Sequence, residues 1–370
     1  MTMYIYQRKG WPKFTWDAAR LSGRLAATHA LQGRLLGHMQ ALGFELRAEA
    51  TLESLTAEVI KSSEIEGRVL DVTQVRSSLA RRLGMDVGAL ARVDRNVEGI
   101  VDMMLDATQE FTKPLSARRL FGWHAALFPT GRSGMHKITV GGWRTDTTGA
   151  MQVVSGPIGR ERVHYEAPAA SALPGEMRAF IAWFNRYDGT DLVLRAGVAH
   201  LWFVTIHPFD DGNGRIARAI ADMALARSEK NPQRFYSMSS QIQEDRSAYY
   251  NILEATQKGG LDITPWLDWF LGCLGRAFEG AEDILASVLR KARFWKRHAE
   301  ASFNERQRLV VNRMLDGFEG KLTSSKWAKL AKCSQDTAGR DIDDLLKRGI
   351  LTKNAAGGRS TNYSLAEEPA

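Results

Sequence analysis

Cysteine is nearly absent from this chain of 370 residues, which has only Cys273 and Cys333. The two are far apart and each sits in an apolar, helix-like setting. That fits buried thiols and argues against a disulfide framework or a cysteine-held metal. Long apolar runs are missing too. None reaches the roughly 18 to 20 residues a membrane-crossing helix needs, and Met1 to Trp16 carries aromatic and basic residues where a secretory leader would be apolar. The expectation is a cytoplasmic protein with no membrane partner. His29 and His38 lack acidic or cysteine neighbours at ligand spacing, so both are expected to be structural.

What is present is ordinary globular material, 44% hydrophobic, in a length that suggests two or three domains. The formal net charge is +8, and the segment 291–370 holds sixteen Lys/Arg against ten Asp/Glu, so most of the excess lies there.

The densest chemistry is in His207-Pro208-Phe209-Asp210-Asp211-Gly212-Asn213-Gly214-Arg215-Ile216-Ala217-Arg218. The apolar run Val198 to Ile206 and the Ala-rich run Ile216 to Arg227 read as helices that hold this loop at both ends. His207, just past the first helix, is the candidate general base, since a neutral imidazole can take a proton from a hydroxyl nucleophile. Asp211 offers one hard oxygen ligand, enough for a magnesium ion whose other ligands are phosphates and water. Gly212, Asn213 and Gly214 open the second helix. There, unpaired N–H groups favour an anion, and missing side chains let phosphate reach the backbone. Arg215 and Arg218, three apart on one helical face, point two donor forks at a common polyphosphate. Pro208 and Phe209 look structural.

The string His-x-Phe-x-Asp-Gly-Asn-Gly-Arg-x-x-Arg matches the signature of the Fic family without a departure, and the chain resembles a Fic-domain protein. The resemblance implies a protein adenylyltransferase that transfers AMP from Mg·ATP to a Ser, Thr or Tyr hydroxyl of a target protein, its own chain included. His207 would then be the base, Asp211 the magnesium ligand, Gly212 to Gly214 the anion cradle, Arg215 a phosphate clamp and Arg218 the contact to the terminal phosphate. Asp210 falls at the variable position. Ser62-x-x-x-Glu66-Gly67 is similar to the family's inhibitory motif, which implies a pair between Glu66 and Arg218 that occupies the terminal-phosphate subsite and slows transfer. From the residues alone, Gly67 is a left-handed helix stop, and Glu66 at the negative end of a helix wants a cation.

Read in order, the chain is mainly α. Helical patterns run over Phe14 to Leu42, Ala48 to Glu66, Val69 to Leu83 and Val93 to Thr108, and Ser116 is the expected N-cap of Ala117 to Phe128, in which His124 is expected to be a packed core residue. Between Pro129 and Pro174 the helical signal is lost. Met151 to Val154 and Glu161 to Tyr165 read as a hairpin whose free edge can pair with an extended segment of another chain. The resemblance makes this hairpin the substrate-aligning flap, with Val153, Val154, Ser155 and Gly156 contacting nucleotide and target, and Arg144 of Gly142-Trp143-Arg144 buttressing it. Gln241 to Lys258 reads as one helix. Its Arg246-Ser247-Ala248-Tyr249-Tyr250 is similar to a segment that lines the nucleotide pocket in relatives, so Tyr249 and Tyr250 are expected against adenosine. Asp262 to Phe278 reads as a final core helix and Ala281 to Ala301 as a separate connector.

The last helices, Asn304 to Leu315, Ser324 to Ala331 and Gln335 to Lys347, precede a β-like tail around Gly357-Gly358-Arg359, an arrangement that resembles a winged helix. Its positive charge favours DNA, whereas Asp336, Asp341, Asp343 and Asp344 on the recognition helix oppose it, so a DNA partner and a protein partner both stay open.

The expected organisation is an N-terminal helical region with the inhibitory helix (1–110), a Fic-type catalytic core with its β-hairpin flap (111–282), and a connector with a winged-helix-like domain (283–370). Two other readings remain. One is removal of AMP from a modified protein at the same site, and the other is a DNA-binding regulator whose core senses nucleotide. Relatives often dimerise, which leaves a homodimer open.

Overall fold

The computed structural model describes residues 3–85, 93–147, 149–157, 159–315, 320–354 and 361–366, with the side chains of 44 and 45 excepted. The chain forms two compact units, 1–284 and 285–370. The helices expected of a separate region 1–110 pack within the same unit as the segment that follows them.

The first unit begins with α1 (Ala18–Gln40), capped by Asp17, and α2 (Phe44–Ile65). The apolar positions of α2 recur at helical spacing, and Leu52, Leu55 and Val59 are fully buried. Then come α3 (Val72–Arg82), α4 (Arg95–Gln109) and α5 (Ala117–Leu127). The Ser116 hydroxyl caps α5 as expected, accepting the Arg119 N–H at 3.2 Å.

The helix-poor stretch holds two small hairpins. The first, β1 (Arg132–Ser133) with β2 (His136–Lys137), is too short for a periodicity of two to reveal in sequence. The second, β3 (Gln152–Ser155) with β4 (Arg162–Glu166), is the expected flap, with a register shift between Val153 and Val154. Residue 158 of its turn lies outside the described residues. Tyr165 fastens this hairpin: its ring is buried and its hydroxyl donates to Thr205 O at 2.6 Å.

α6 (Leu173–Asn185) leads into α7 (Leu192–Ile206), whose apolar character on every side marks it as the central helix. Almost every residue of α7 and of α8 (Asn213–Glu229) is buried. The signature loop is the short connection between these two.

Two expectations about the later helices need correction. The helix expected over Gln241 to Lys258 is two, α9 (Met238–Glu244) and α10 (Arg246–Gln257), broken at Asp245. The core helix and connector expected on either side of Glu279 and Gly280 form one helix, α11 (Thr264–Arg297), because a single Gly costs a helix only about 1 kcal/mol and is overridden by packing. Cys273 and Cys333 are free thiols, and burial pushes Cys273 up to about 12.

In the second unit, α12 (Glu305–Leu315), α13 (Ser324–Ala331) and α14 (Gln335–Lys347) pack around Val310, Val311, Trp327, Ala338, Ile342 and Leu345. β5 (Leu351–Lys353) pairs antiparallel with β6 (Tyr363–Leu365), and Leu322 bridges to Tyr363. The Gly357-Gly358-Arg359 tip lies outside the described residues. Of the four aspartates of α14 expected to repel phosphate, Asp336 and Asp343 are exposed and two are engaged by neighbouring side chains. Asp341 is buried and bound by Arg306 and Asn304, and Asp344 by Gln307 and Arg348.

Candidate active site

α7 ends because His207 turns into the left-handed region, at φ 52° and ψ 58°. A non-glycine residue holds that conformation only where its surroundings impose it. Here the His207 N–H caps Phe203 O at 3.0 Å, while its carbonyl accepts from Arg144 Nε at 2.8 Å. His207 Nδ1 lies 3.2 Å from Val204 O. A carbonyl only accepts, so Nδ1 carries the hydrogen and Nε2 keeps a free lone pair. Burial pushes the imidazole down to about 4, so it is neutral at physiological pH.

The loop itself is stapled. Asn213 accepts the Phe209 N–H at 3.0 Å and donates to Phe209 O at 2.8 Å. Its side chain therefore holds the turn, and its share in an anion cradle is the backbone N–H at the start of α8. Phe209 plugs the core, stacked on His124 with ring centroids 4.2 Å apart. His124 is the packed residue expected, lowered to about 4 by burial, and its Nε2 sits 3.2 Å from Asp211 O. Asp210, at the variable position, accepts the Thr139 N–H at 2.7 Å, a tie that the sequence did not reveal. Arg144, expected to buttress the flap, bonds instead to the signature loop and to the segment after the hairpin. Besides His207 O it reaches Pro168 O, its N–H donates to Pro208 O at 2.9 Å, and Asp146 balances it at 2.8 Å.

Gly212 takes φ 83° and faces Phe128, whose ring would lie 2.9 Å from any Cβ there. At Gly214 a Cβ would stand 2.1 Å from Glu66 Oε1, so the bare start of α8 already has a carboxylate against it. Glu66 is the C-cap of α2, followed by Gly67 at φ 73° as expected of a helix stop. Arg218 Nη2 donates to Glu66 Oε1 at 2.9 Å and to Ser62 O at 2.8 Å, and Nε to the Ser62 hydroxyl at 2.8 Å. Burial opposes the charge on Arg218, but the Glu66 carboxylate outweighs it and raises the guanidinium further.

Arg215 is the opposite case. It is 1% exposed, its Nε, Nη1 and Nη2 have no hydrogen-bond partner among the described residues, and its charge is answered by Asp211 at 4.0 Å and, less, by Glu66. Burial, then the neighbouring Arg68, brings it down to about 10. Leaving a buried guanidinium unsatisfied costs several kcal/mol, which an arriving oxyanion would recover. Asp211 is half-exposed and carries a hard oxygen beside this anion site, bonded to Ser133 and to Arg68 at 3.3 Å. Among the described residues no cluster of three metal-ligating side chains occurs. The donor set suits an ion held by one carboxylate and completed by phosphate and water, as magnesium is in nucleotide sites.

The Tyr pair divides. Tyr249 is buried, its hydroxyl 2.9 Å from His200 Nε2 and also in contact with the Arg218 guanidinium of the candidate site. Tyr250 is 37% exposed, with its hydroxyl 3.4 Å from Ile65 O, and remains available to a ligand. On the flap, Val154, Ser155 and Gly156 are exposed and Val153 half-buried. β4 is tied to α10 through His164 Nδ1 and Glu254 at 2.6 Å.

Residues 4–85 match a domain of unknown function, DUF4172, and residues 114–225 match the Fic/DOC family. The chain is 25% identical over 246 residues to the protein adenylyltransferase Fic of Drosophila sechellia, covering 62% of this chain and 42% of that protein. With the protein adenylyltransferase Fic of Nematostella vectensis the identity is 34% over 116 residues, 30% of this chain and 25% of the relative. The chain thus spans less than half the length of these relatives. Its fold is similar to that of a Fic family protein from Desulfovibrio desulfuricans G20, with a TM-score of 0.55 at 20% identity over 97% of this chain and 99% of that one. It is also similar to a Fic domain containing signaling protein from Bacteroides thetaiotaomicron VPI-5482, with a TM-score of 0.52 at 21% identity over 70% and 97%. With the loop, the cradle and the two arginines in one place and the family match across them, this chain carries a Fic domain.

Proposed function

We propose that the chain is a protein adenylyltransferase that moves AMP from ATP to a Ser, Thr or Tyr hydroxyl of a protein, held back by the end of α2. The observation that carries this reading is the Glu66 carboxylate, seated on Gly214 and paired with Arg218 at 2.9 Å, at the place where an anionic substrate would bind.

Arg215 and the first N–H groups of α8 hold the phosphates. The acceptor hydroxyl oxygen attacks the α-phosphorus, its proton passes to His207 Nε2, and pyrophosphate leaves. Magnesium at Asp211 would neutralise the charge on the phosphates. The open edge of the flap holds the target segment by main-chain hydrogen bonds, Val153 to Gly156 lying nearest to it. Tyr250 borders the nucleotide. With Glu66 in place, the terminal phosphate cannot reach Arg218, the nucleotide binds out of register, and the α-phosphorus is misaligned for attack.

The test is incubation of wild type, Glu66→Gly and His207→Ala with ATP labelled at either the α or the γ phosphate. The reading requires protein-bound label from the α position alone, raised in Glu66→Gly and lost in His207→Ala. Protein-bound label from the γ position would replace it with phosphoryl transfer. Release of AMP from an already modified target by wild type, with no forward transfer in Glu66→Gly, would replace it with the reverse reaction.

A further inference from the structure

α2 closes on the hydrogen bonds of a Schellman turn. The Gly67 N–H donates to Glu64 O at 2.9 Å and the Arg68 N–H to Ser63 O at 3.0 Å. This turn fixes Arg68 two residues beyond Glu66 and sends its side chain back over the signature loop. Arg68 Nη2 lies 3.3 Å from Asp211 Oδ2 and 3.3 Å from Ser133 Oγ, and its guanidinium carbon is 5.5 Å from the centroid of Phe128.

That position is electrostatically awkward. Arg215 packs on the same ring at 5.1 Å and approaches the same Asp211 oxygen at 4.0 Å, and Arg68 is the neighbouring charge that most lowers it. Two guanidinium groups share one carboxylate, an arrangement that the packing of α2 does not call for. It makes sense if a positive charge belongs beside Asp211.

We propose that Arg68 stands in for the divalent cation at Asp211, so that the end of α2 imitates both charges of the substrate complex, Glu66 the phosphate and Arg68 the metal. The proposal rests on the adenylyltransferase reading, which assigns the metal to Asp211. A doubly charged ion on Asp211 would repel a guanidinium bonded to the same oxygen, so metal entry displaces Arg68. Because the turn joins the two side chains rigidly, losing the Arg68 contact also loosens Glu66. Inhibition then answers to divalent cation as well as to nucleotide.

The probe is manganese(II), titrated into the full chain in saturating AMP, whose phosphate completes the shell that Asp211 begins, and followed by the electron paramagnetic resonance of the free ion. Removing a positive charge about 5 Å from the metal in a water-like dielectric tightens binding roughly tenfold. Arg68→Gln is therefore expected to bind manganese about tenfold more tightly than wild type, Arg68→Lys to stay near wild type, and Asp211→Asn to abolish the site in both backgrounds. Should Arg68→Gln melt early, Arg68→Met carries the same comparison. Unchanged manganese affinity in Arg68→Gln, with Asp211→Asn still abolishing binding, overturns the proposal and leaves the metal assignment standing. Binding that survives Asp211→Asn overturns both. Weaker binding of metal-free ATP by Arg68→Gln would make Arg68 a nucleotide clamp and also overturn it.

Discussion

Glu66 Oε1 lies 2.1 Å from the point where a Cβ on Gly214 would stand, so glycine at 214 is what lets the end of α2 touch the start of α8. The same bare position would admit a phosphate. Gly214→Ala therefore separates the two uses: the added methyl should push Glu66 off Arg218 and block phosphate as well. AMP transfer is expected to stay low even in the Glu66→Gly background, while hydrogen exchange near the end of α2 speeds up. Full activity of the double variant would show that the cradle is elsewhere.

The neutral state of His207 has a pH signature. Its ordinary value of 6.5 is lowered to about 4, as is that of His124, and His200 falls to about 3, burial being the first cause each time. The folded imidazoles therefore stay unprotonated as pH falls from 7 toward 5, whereas a solvent-exposed histidine titrates across that range. In an NMR titration the ring resonances of these three should stay flat down to about pH 5. The acid limb of Glu66→Gly transfer should fall below 6.5. A limb at or above 6.5 would mean that His207 is solvated and the geometry here is not the working one.

Besides its tie to Glu254, the flap is held by a buried hydroxyl, Tyr165 Oη on Thr205 O at 2.6 Å. Tyr165→Phe removes that bond and leaves a buried carbonyl short of a partner, a loss of about 1 to 3 kcal/mol in stability. Thermal melting reads the cost. If the flap edge meets the target as proposed, KM for a protein acceptor rises more than KM for ATP. Equal changes in both would remove the flap from acceptor binding.

α2 has a second anchor about two turns before Glu66. Glu58 is buried and accepts the Ser239 N–H at 2.9 Å and the Ser237 hydroxyl at 2.8 Å, at the N-terminus of α9. Nearby Asp222 is pushed up to about 8, by burial first and by the charge of Glu58 next. Glu58→Ala strips those donors of their acceptor, at about 1 to 3 kcal/mol each. It should loosen α2 and raise basal transfer several-fold without touching the site. Unchanged basal transfer in a destabilised variant would mean that the grip of Glu66 on Arg218 suffices alone.

The mainly helical fold with its small hairpins was legible in the sequence, and so was the contiguous loop between its two central helices. His207 to Arg218 is contiguous, so its chemistry could be read from adjacent residues, and Gly67 announced the end of α2 because a left-handed stop favours glycine. Contacts between distant segments left little trace. Arg68 on Asp211, Asp210 on Thr139 and Arg144 on the His207 carbonyl join residues 63 or more apart, and no spacing rule links them. Adjacent tyrosines on a helix do not say which of them is buried, and here it is Tyr249. α11 runs unbroken through Glu279 and Gly280, with Phe278 and Ala281 on either side of them buried, a packing effect that a local pattern does not show. Two of the four aspartates of α14 are engaged by distant side chains, Asp341 by Arg306 and Asp344 by Gln307, which no local pattern announces.

The most direct measurement is the initial rate at which label passes from α-labelled ATP to protein in Glu66→Gly relative to wild type, at saturating Mg·ATP and with His207→Ala as the blank. Freeing Arg218 for the terminal phosphate is predicted to raise the rate at least about tenfold, the equivalent of about 1.4 kcal/mol in the barrier. Equal rates in the two proteins would contradict the claim that the end of α2 holds the phosphate site.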